Sequence, residues 1–148
     1  MRLPIPALLF ALVFALAPFA ATAADDAVLY KNPDCDCCGE YAGVLEREGF
    51  RVRIKETTAL DALRRMAGVP DKLASCHTTT LGGYVVEGHV PISAIKKLIA
   101  EKPDIRGIAL PGMPQGSPGM TGQKEGPFVV YEIGGRDAQG RPKVFAAE

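Results

Sequence analysis

The chain has 148 residues, with 17 Lys and Arg against 17 Asp and Glu, for a formal net charge of zero. That length suits about one domain, and that balance gives no electrostatic reason to expect nucleic acid or an anionic membrane surface as a partner. Hydrophobic residues make up 47%, a share raised by an apolar N-terminal run.

In that run, Arg2 precedes an apolar stretch from Ile5 to Phe19, broken only by Pro6 and Pro18 and followed by Ala21-Thr22-Ala23. One positive charge, a short apolar core and a small-x-small tripeptide read as a secretory signal peptide over residues 1–23, cleaved near Ala23 or Ala24. A transmembrane helix needs about 20 apolar residues, more than this run supplies. The mature domain, residues 24–148, is therefore expected in the periplasm with no membrane span. Removing Arg2 leaves 16 basic residues against 17 acidic ones, a formal charge of −1. All four cysteines lie in the mature part. In an oxidising compartment, disulfides are the default reading of an even cysteine count, and any metal reading competes with that default.

Val28-Leu29-Tyr30 is a short apolar strand, ended by the turn signal Lys31-Asn32-Pro33-Asp34. After Cys35-Asp36-Cys37-Cys38 the pattern turns helical from Gly39, with Tyr41, Val44 and Leu45 at i, i+3, i+4 and Gly49 as a C-terminal stop. Phe50, Val52 and Ile54 alternate with Arg51, Arg53 and Lys55, which predicts a half-buried strand. Thr58 is placed to cap a second helix from about Leu60 to Ala67, with Leu60, Leu63 and Ala67 on one face and Met66 read as packing. A short helical segment follows around Asp71 to Ala74, and Ser75-Cys76-His77 sits in or beside a loop. Thr79 to Leu81 and Tyr84 to Glu87 read as strands separated by Gly82-Gly83. A helix from about Ile92 to Ala100 turns Ile95, Leu98 and Ile99 inward and is closed by Pro103. Residues 105–123 carry so many Gly and Pro that no regular element is expected there. Phe128 to Ile133 is the last clear strand, and a turn-rich segment from Gly134 to Pro142 precedes Val144-Phe145.

Strands alternating with helices predict a small α/β sandwich. A redox-type cysteine motif between the first strand and the first helix narrows this to a single thioredoxin-like domain with a Gly/Pro/Met-rich loop.

Cys35 and Cys38 have the CxxC spacing, and Cys37 adds a third thiol within four residues. At a strand-to-helix junction Cys35 falls in the loop or cap, and the other two fall in the first turn. Free backbone N–H groups and the helix dipole there favour thiolate, while Asp34 and Asp36 disfavour it; a bound cation reverses that penalty. Structural disulfides leave one clustered thiol over, either free or paired with Cys76. A thiol–disulfide oxidoreductase, the alternative function, uses Cys35 and Cys38 and has no need of Cys37. A soft-metal site uses every sulfur, and thiolates favour Cu(I), Zn(II) or iron–sulfur centres. The compartment favours copper over an iron–sulfur cluster, and the sequence leaves zinc open as the lesser alternative.

Cys76-His77 is a second constellation, weak alone but brought toward the first helix terminus by a thioredoxin-like chain. His77 supplies an imidazole suited to copper or zinc, whereas His89 reads as structural or surface. Met113 and Met120 lie in the Gly/Pro-rich loop, where core filling is an awkward explanation. Thioethers are soft copper ligands that cannot form disulfides.

Tyr30-Lys31-Asn32-Pro33 leading into Cys35-Asp36-Cys37-Cys38, the step Ser75-Cys76-His77-Thr78, the segment Val86-Glu87-Gly88-His89-Val90-Pro91 and the loop Gly112-Met113-Pro114 to Gly119-Met120 together resemble one family. It is the CopG-type family of periplasmic copper-resistance proteins, long filed as a domain of unknown function. The resemblance spans about Val28 to Ile133. It implies a thioredoxin-like fold and a multi-copper Cu(I) centre built from Cys35, Cys37 and Cys38, then Cys76 and His77, then Met113 and Met120. It also implies a place in copper tolerance, with transfer to a copper exporter or oxidase and a copper oxidoreductase role interconverting Cu(I) and Cu(II).

Overall fold

The computed structural model describes residues 26–148; the expected signal peptide lies outside the described residues. Among the described residues, seven strands form one sheet in the order β2-β1-β3-β4-β5-β6-β7, with three α-helices, so the expected α/β class holds. The strands are β1 (Asp26–Lys31), β2 (Arg51–Glu56), β3 (His77–Leu81), β4 (Tyr84–Glu87), β5 (Gly107–Ala109), β6 (Val129–Arg136) and β7 (Pro142–Ala147). The helices are α1 (Asp36–Arg47), α2 (Leu60–Met66) and α3 (Ile92–Glu101), with a short 3-10 turn over Asp71–Leu73.

Strand alternation divides the apolar residues between two cores. On one face of the sheet, Leu29, Leu81, Val86, Ile108 and Val130 pack with Cys38, Tyr41 and Leu45 of α1 and with Ala94, Ile95 and Leu98 of α3. On the other, Ala109 and Ile133 pack with Val69 and Leu73, which follow α2. Burying each such Leu or Ile side chain contributes about 1.5–3 kcal/mol, so the larger core anchors α1, whose first turn carries the cysteines.

Local chemistry sets the ends of α1. Cys35 occupies the N-cap in an extended conformation without a side-chain cap, leaving first-turn N–H groups facing the cysteine loop. At the other end the Phe50 N–H bonds the Leu45 carbonyl at 3.1 Å and Gly49 takes φ +93°, a left-handed stop that glycine allows at no steric penalty. Strand β1 runs parallel to β2 through α1 and antiparallel to β3. Strand β4 runs parallel to β5 through α3.

Five expectations need correction. Residues 107–109 form a strand inside the stretch expected to be irregular. Strand β2 is an edge strand, and Ile54 is 45% exposed where the period-two pattern implied half-burial. Met66, read as packing, is 85% exposed. Ala59, not Thr58, is the N-cap of α2, with the Thr57 hydroxyl accepting the Ala59 N–H at 3.0 Å. Arg64, not an apolar residue, shares the buried side of α2 with Leu60.

Candidate metal centre

Two groups of donors meet at Cys76. Cys35, Cys37, Cys38 and Cys76 bring their sulfurs within 4.8 Å of one another, and Cys76, His77 and His89 do the same with one sulfur and two imidazoles. The first group is assembled by the N-terminal turn of α1 and the residue preceding β3. Cys35 caps the helix and Cys37 and Cys38 lie in its first turn, as the junction argument expects. Cys35 and Cys38 are joined in a disulfide, and Cys37 and Cys76 are free. Cys37 lies 3.6 Å from the Cys35 sulfur, and the Cys38 sulfur lies 3.6 Å from the Cys76 carbonyl. In this oxidised form two thiols are available as donors, and reduction provides all four.

The second group follows from the β3–β4 hairpin. Its two-residue turn pairs Leu81 with Tyr84 and Thr78 with Glu87, so continuing the register sets Cys76 opposite His89. His89, read as structural or surface, is not at the surface: it is fully buried, and its Nε2 lies 3.0 Å from Cys76 Sγ. Adjacency in the chain links Cys76 only to His77. Counting the hairpin register outward from Gly82-Gly83 is the signal that finds His89.

The proton on His89 can be placed. Its Nδ1 lies 2.7 Å from the carbonyl oxygen of Pro118, which only accepts, so Nδ1–H donates and Nε2 keeps its lone pair toward Cys76. The Cys76 S–H then donates to Nε2. His77 is fully buried, its Nδ1 lies 3.4 Å from Cys76 Sγ, and its Nε2 makes no hydrogen bond. Both rings pack on Tyr41, at centroid distances of 4.7 and 5.3 Å, and on each other at 4.8 Å. Tyr41 is held by its hydroxyl, which donates to the Val90 carbonyl at 2.9 Å.

Burial governs the electrostatics. It pushes the Cys76 thiol up to about 12, with the nearby Cys37 adding to the rise and Ser75 partly opposing it. It pushes His77 down to about 3, reinforced by the neighbouring His89 and partly offset by the Gly88 backbone. It also lowers His89, against the opposing Pro118 carbonyl. At neutral pH the centre therefore presents neutral imidazoles and a protonated Cys76, whose proton a bound metal ion would displace.

The Gly/Pro-rich loop closes the centre from above. Ser75 Oγ donates to the Gly112 carbonyl and the Gly112 N–H bonds Ala74 at 3.1 Å. Met113, 55% exposed, lines an open cleft of about 630 Å³ together with Cys35, Cys37, Cys76, Asp34 and Asp36. Met120 is half-buried outside the lining of that cleft, next to Gly119, which seats against the α1 backbone at Tyr41.

The donor chemistry suits a soft cation: thiol sulfurs, neutral imidazoles and a thioether at the mouth. A buried imidazole nitrogen without a hydrogen bond is an uncommon and costly arrangement, and His77 Nε2 is such an atom. Fold and site together define a small α/β protein carrying a cysteine–histidine constellation fit to hold a metal ion. Two solved structures are similar to it along nearly their whole length. Copper resistance protein copG, form 2, shares 35% identity, covers 85% of this chain and 99% of its own, and has a TM-score of 0.75. Form 1 shares 35%, covers 83% and 96%, and has a TM-score of 0.72. Residues 73–120 match the family described as "Protein of unknown function, DUF411", a span that holds Cys76, His77, His89, Met113 and Met120. Comparison with curated proteins gives no match. The chain belongs to the CopG-type family. Among the described residues no helix is long and apolar enough to cross a membrane.

Proposed function

We propose that this protein is a periplasmic, thioredoxin-like copper-binding protein that serves copper resistance by holding Cu(I). Cys35, Cys37, Cys38, Cys76, His77 and His89 are its donors, with Met113 at the mouth and Met120 in the covering loop. The observation that carries this reading is the convergence of two donor groups on one sulfur, Cys76. Such an arrangement can share more than one Cu(I), since a thiolate sulfur can bridge two cations. The likeness to proteins named for copper resistance supports copper as the cargo rather than zinc. Release to an exporter or oxidase, and interconversion of Cu(I) and Cu(II) by exchange of one electron per ion with an external electron donor or acceptor, complete the proposal.

The test is an anaerobic titration of fully reduced protein with Cu(I) against a chromophoric cuprous chelator, with Zn(II) in a parallel arm. At least one equivalent of tightly held Cu(I) is expected, with Cys37→Ser weakening it. Unchanged affinity in that variant removes the sulfur cluster from the proposal.

The Cys35–Cys38 disulfide at a helix N-terminus favours a second reading, a thiol–disulfide oxidoreductase. In it, reduced Cys35 attacks a substrate disulfide, Cys38 resolves the mixed disulfide, and two electrons pass to the substrate as the protein becomes oxidised. Insulin reduction by metal-free protein separates the readings: turnover supports this one, and inertness leaves copper binding alone.

A further inference from the structure

We propose that Arg64 and Glu87 are positioning residues for the metal centre, fixing the strand segment that carries Cys76 and His77. This rests on the copper-binding reading for its functional consequence, while its structural part stands on the metal-free protein.

Glu87 on β4 is fully buried. Its Oε1 accepts from Arg64 Nε at 2.7 Å and from the Ser75 N–H at 2.8 Å, and its Oε2 accepts from the Thr78 hydroxyl at 2.6 Å. Arg64, only 8% exposed, also donates to the Ser75 carbonyl at 2.5 Å and to Asp61 Oδ1 at 2.8 Å. The two charges thus hold the Ser75 residue from opposite sides, the carboxylate by its N–H and the guanidinium by its C=O. Through Thr78 the same carboxylate grips the far end of the four-residue stretch Ser75-Cys76-His77-Thr78. Arg64 also lines the cysteine cleft beside Ser75 and Cys76.

Stability alone is a poor reason for such a pair. Buried ion pairs are often no better than apolar residues of equal volume. What an apolar pair cannot do is satisfy an N–H, a C=O and a hydroxyl at once. Those three contacts set where Cys76 Sγ falls between the α1 cysteines and the two imidazoles. Ser75 continues the chain of support, since its hydroxyl donates to Gly112 of the covering loop. Partners that orient metal ligands in this way commonly alter affinity by about 10- to 100-fold when replaced.

The experiment compares wild type with Glu87→Gln, Arg64→Met, Arg64→Lys and Thr78→Val. Three measurements are made: Cu(I) affinity of the reduced protein by chelator competition, unfolding in urea, and amide hydrogen exchange of the metal-free protein. Glu87→Gln and Arg64→Met are expected to weaken Cu(I) binding about 10- to 100-fold and to speed exchange at Ser75 and Cys76 while leaving Leu29 and Leu45 protected. Arg64→Lys keeps the charge but cannot reach both Glu87 and Ser75, so it recovers only part of the affinity. Thr78→Val deletes a single contact and provides the comparison should Glu87→Gln fail to fold. Wild-type affinity in the folded variants overturns the proposal, as does a loss that merely tracks faster exchange everywhere. Selective exchange at Ser75 in a protein that takes up no Cu(I) even as wild type overturns the copper reading and upholds the positioning.

Discussion

Replacing Gly119 by Ala tests whether the covering loop is seated on α1. Gly119 has φ +77°, and an added Cβ would fall 2.6 Å from the Tyr41 nitrogen and 2.8 Å from its Cα. Both are helix backbone atoms and cannot step aside. Gly140, in the β6–β7 turn, offers a matched control: its φ is +75°, and no heavy atom lies within 4 Å of the added Cβ. The left-handed backbone costs an alanine about 1–2 kcal/mol, reduced by about 0.4–1 kcal/mol through the stiffer unfolded chain. Gly140→Ala should therefore cost between about 0 and 1.6 kcal/mol. Gly119→Ala adds an overpacking term of about 1–3 kcal/mol. Urea unfolding of both reduced, metal-free variants gives the difference directly. Because Pro118 accepts the His89 Nδ1–H, lifting the loop also releases that ring, so Cu(I) affinity should fall in Gly119→Ala and stay unchanged in Gly140→Ala. Equal destabilisation of the two variants would refute the seating of the loop on Tyr41.

Tyr41→Phe removes the donor to the buried Val90 carbonyl and keeps the ring against both histidines; a loss of about 1–3 kcal/mol in urea unfolding is expected. Cu(I) uptake should release protons and strengthen from pH 6 to pH 8, because the Cys76 thiol, pushed up to about 12, is protonated across that range; chelator competition at the two pH values checks the sign. His77, pushed down to about 3, binds its proton in the unfolded chain first. Its contribution to stability is therefore present above about pH 6.5 and lost toward pH 3, by about 1.4 kcal/mol per pH unit. Unfolding free energies of wild type and His77→Asn should converge as pH falls through that window; Glu87, whose burial raises its carboxyl and acts in the opposite sense, is common to both.

Much of this architecture can be read from local pattern. The helical spacing of Tyr41 and Leu45 and the glycine stop at Gly49 locate α1, and with it the three clustered cysteines, because those signals lie within a few residues of one another. Strand β5 escapes such a reading. Three residues carry no measurable period, and Gly107 is needed because the Val85 backbone would lie 1.9 Å from any Cβ there, a closeness set by the parallel partner across α3. Arg64 is hidden for a related reason. Its position continues the inward face of α2, but burial of a guanidinium makes sense only once Glu87, 23 residues later, is known to meet it. His89 sits between these cases, since the hairpin count brings it opposite Cys76 without any knowledge of the remaining fold. The exposure of Ile54 and Met66 reflects what lies beside them, and neither residue's neighbours in the chain report it.

Cys76 belongs to both donor groups, yet it has a single proton to give up. Whichever side is loaded first must expel that proton from a half-buried sulfur; an ion arriving on the other side finds the anion already made. Uptake on the sulfur-rich side and on the imidazole side is thereby linked through one ionisation; when the sulfur-rich side fills first, its step is pH-sensitive and the later step on the neutral imidazole side is not.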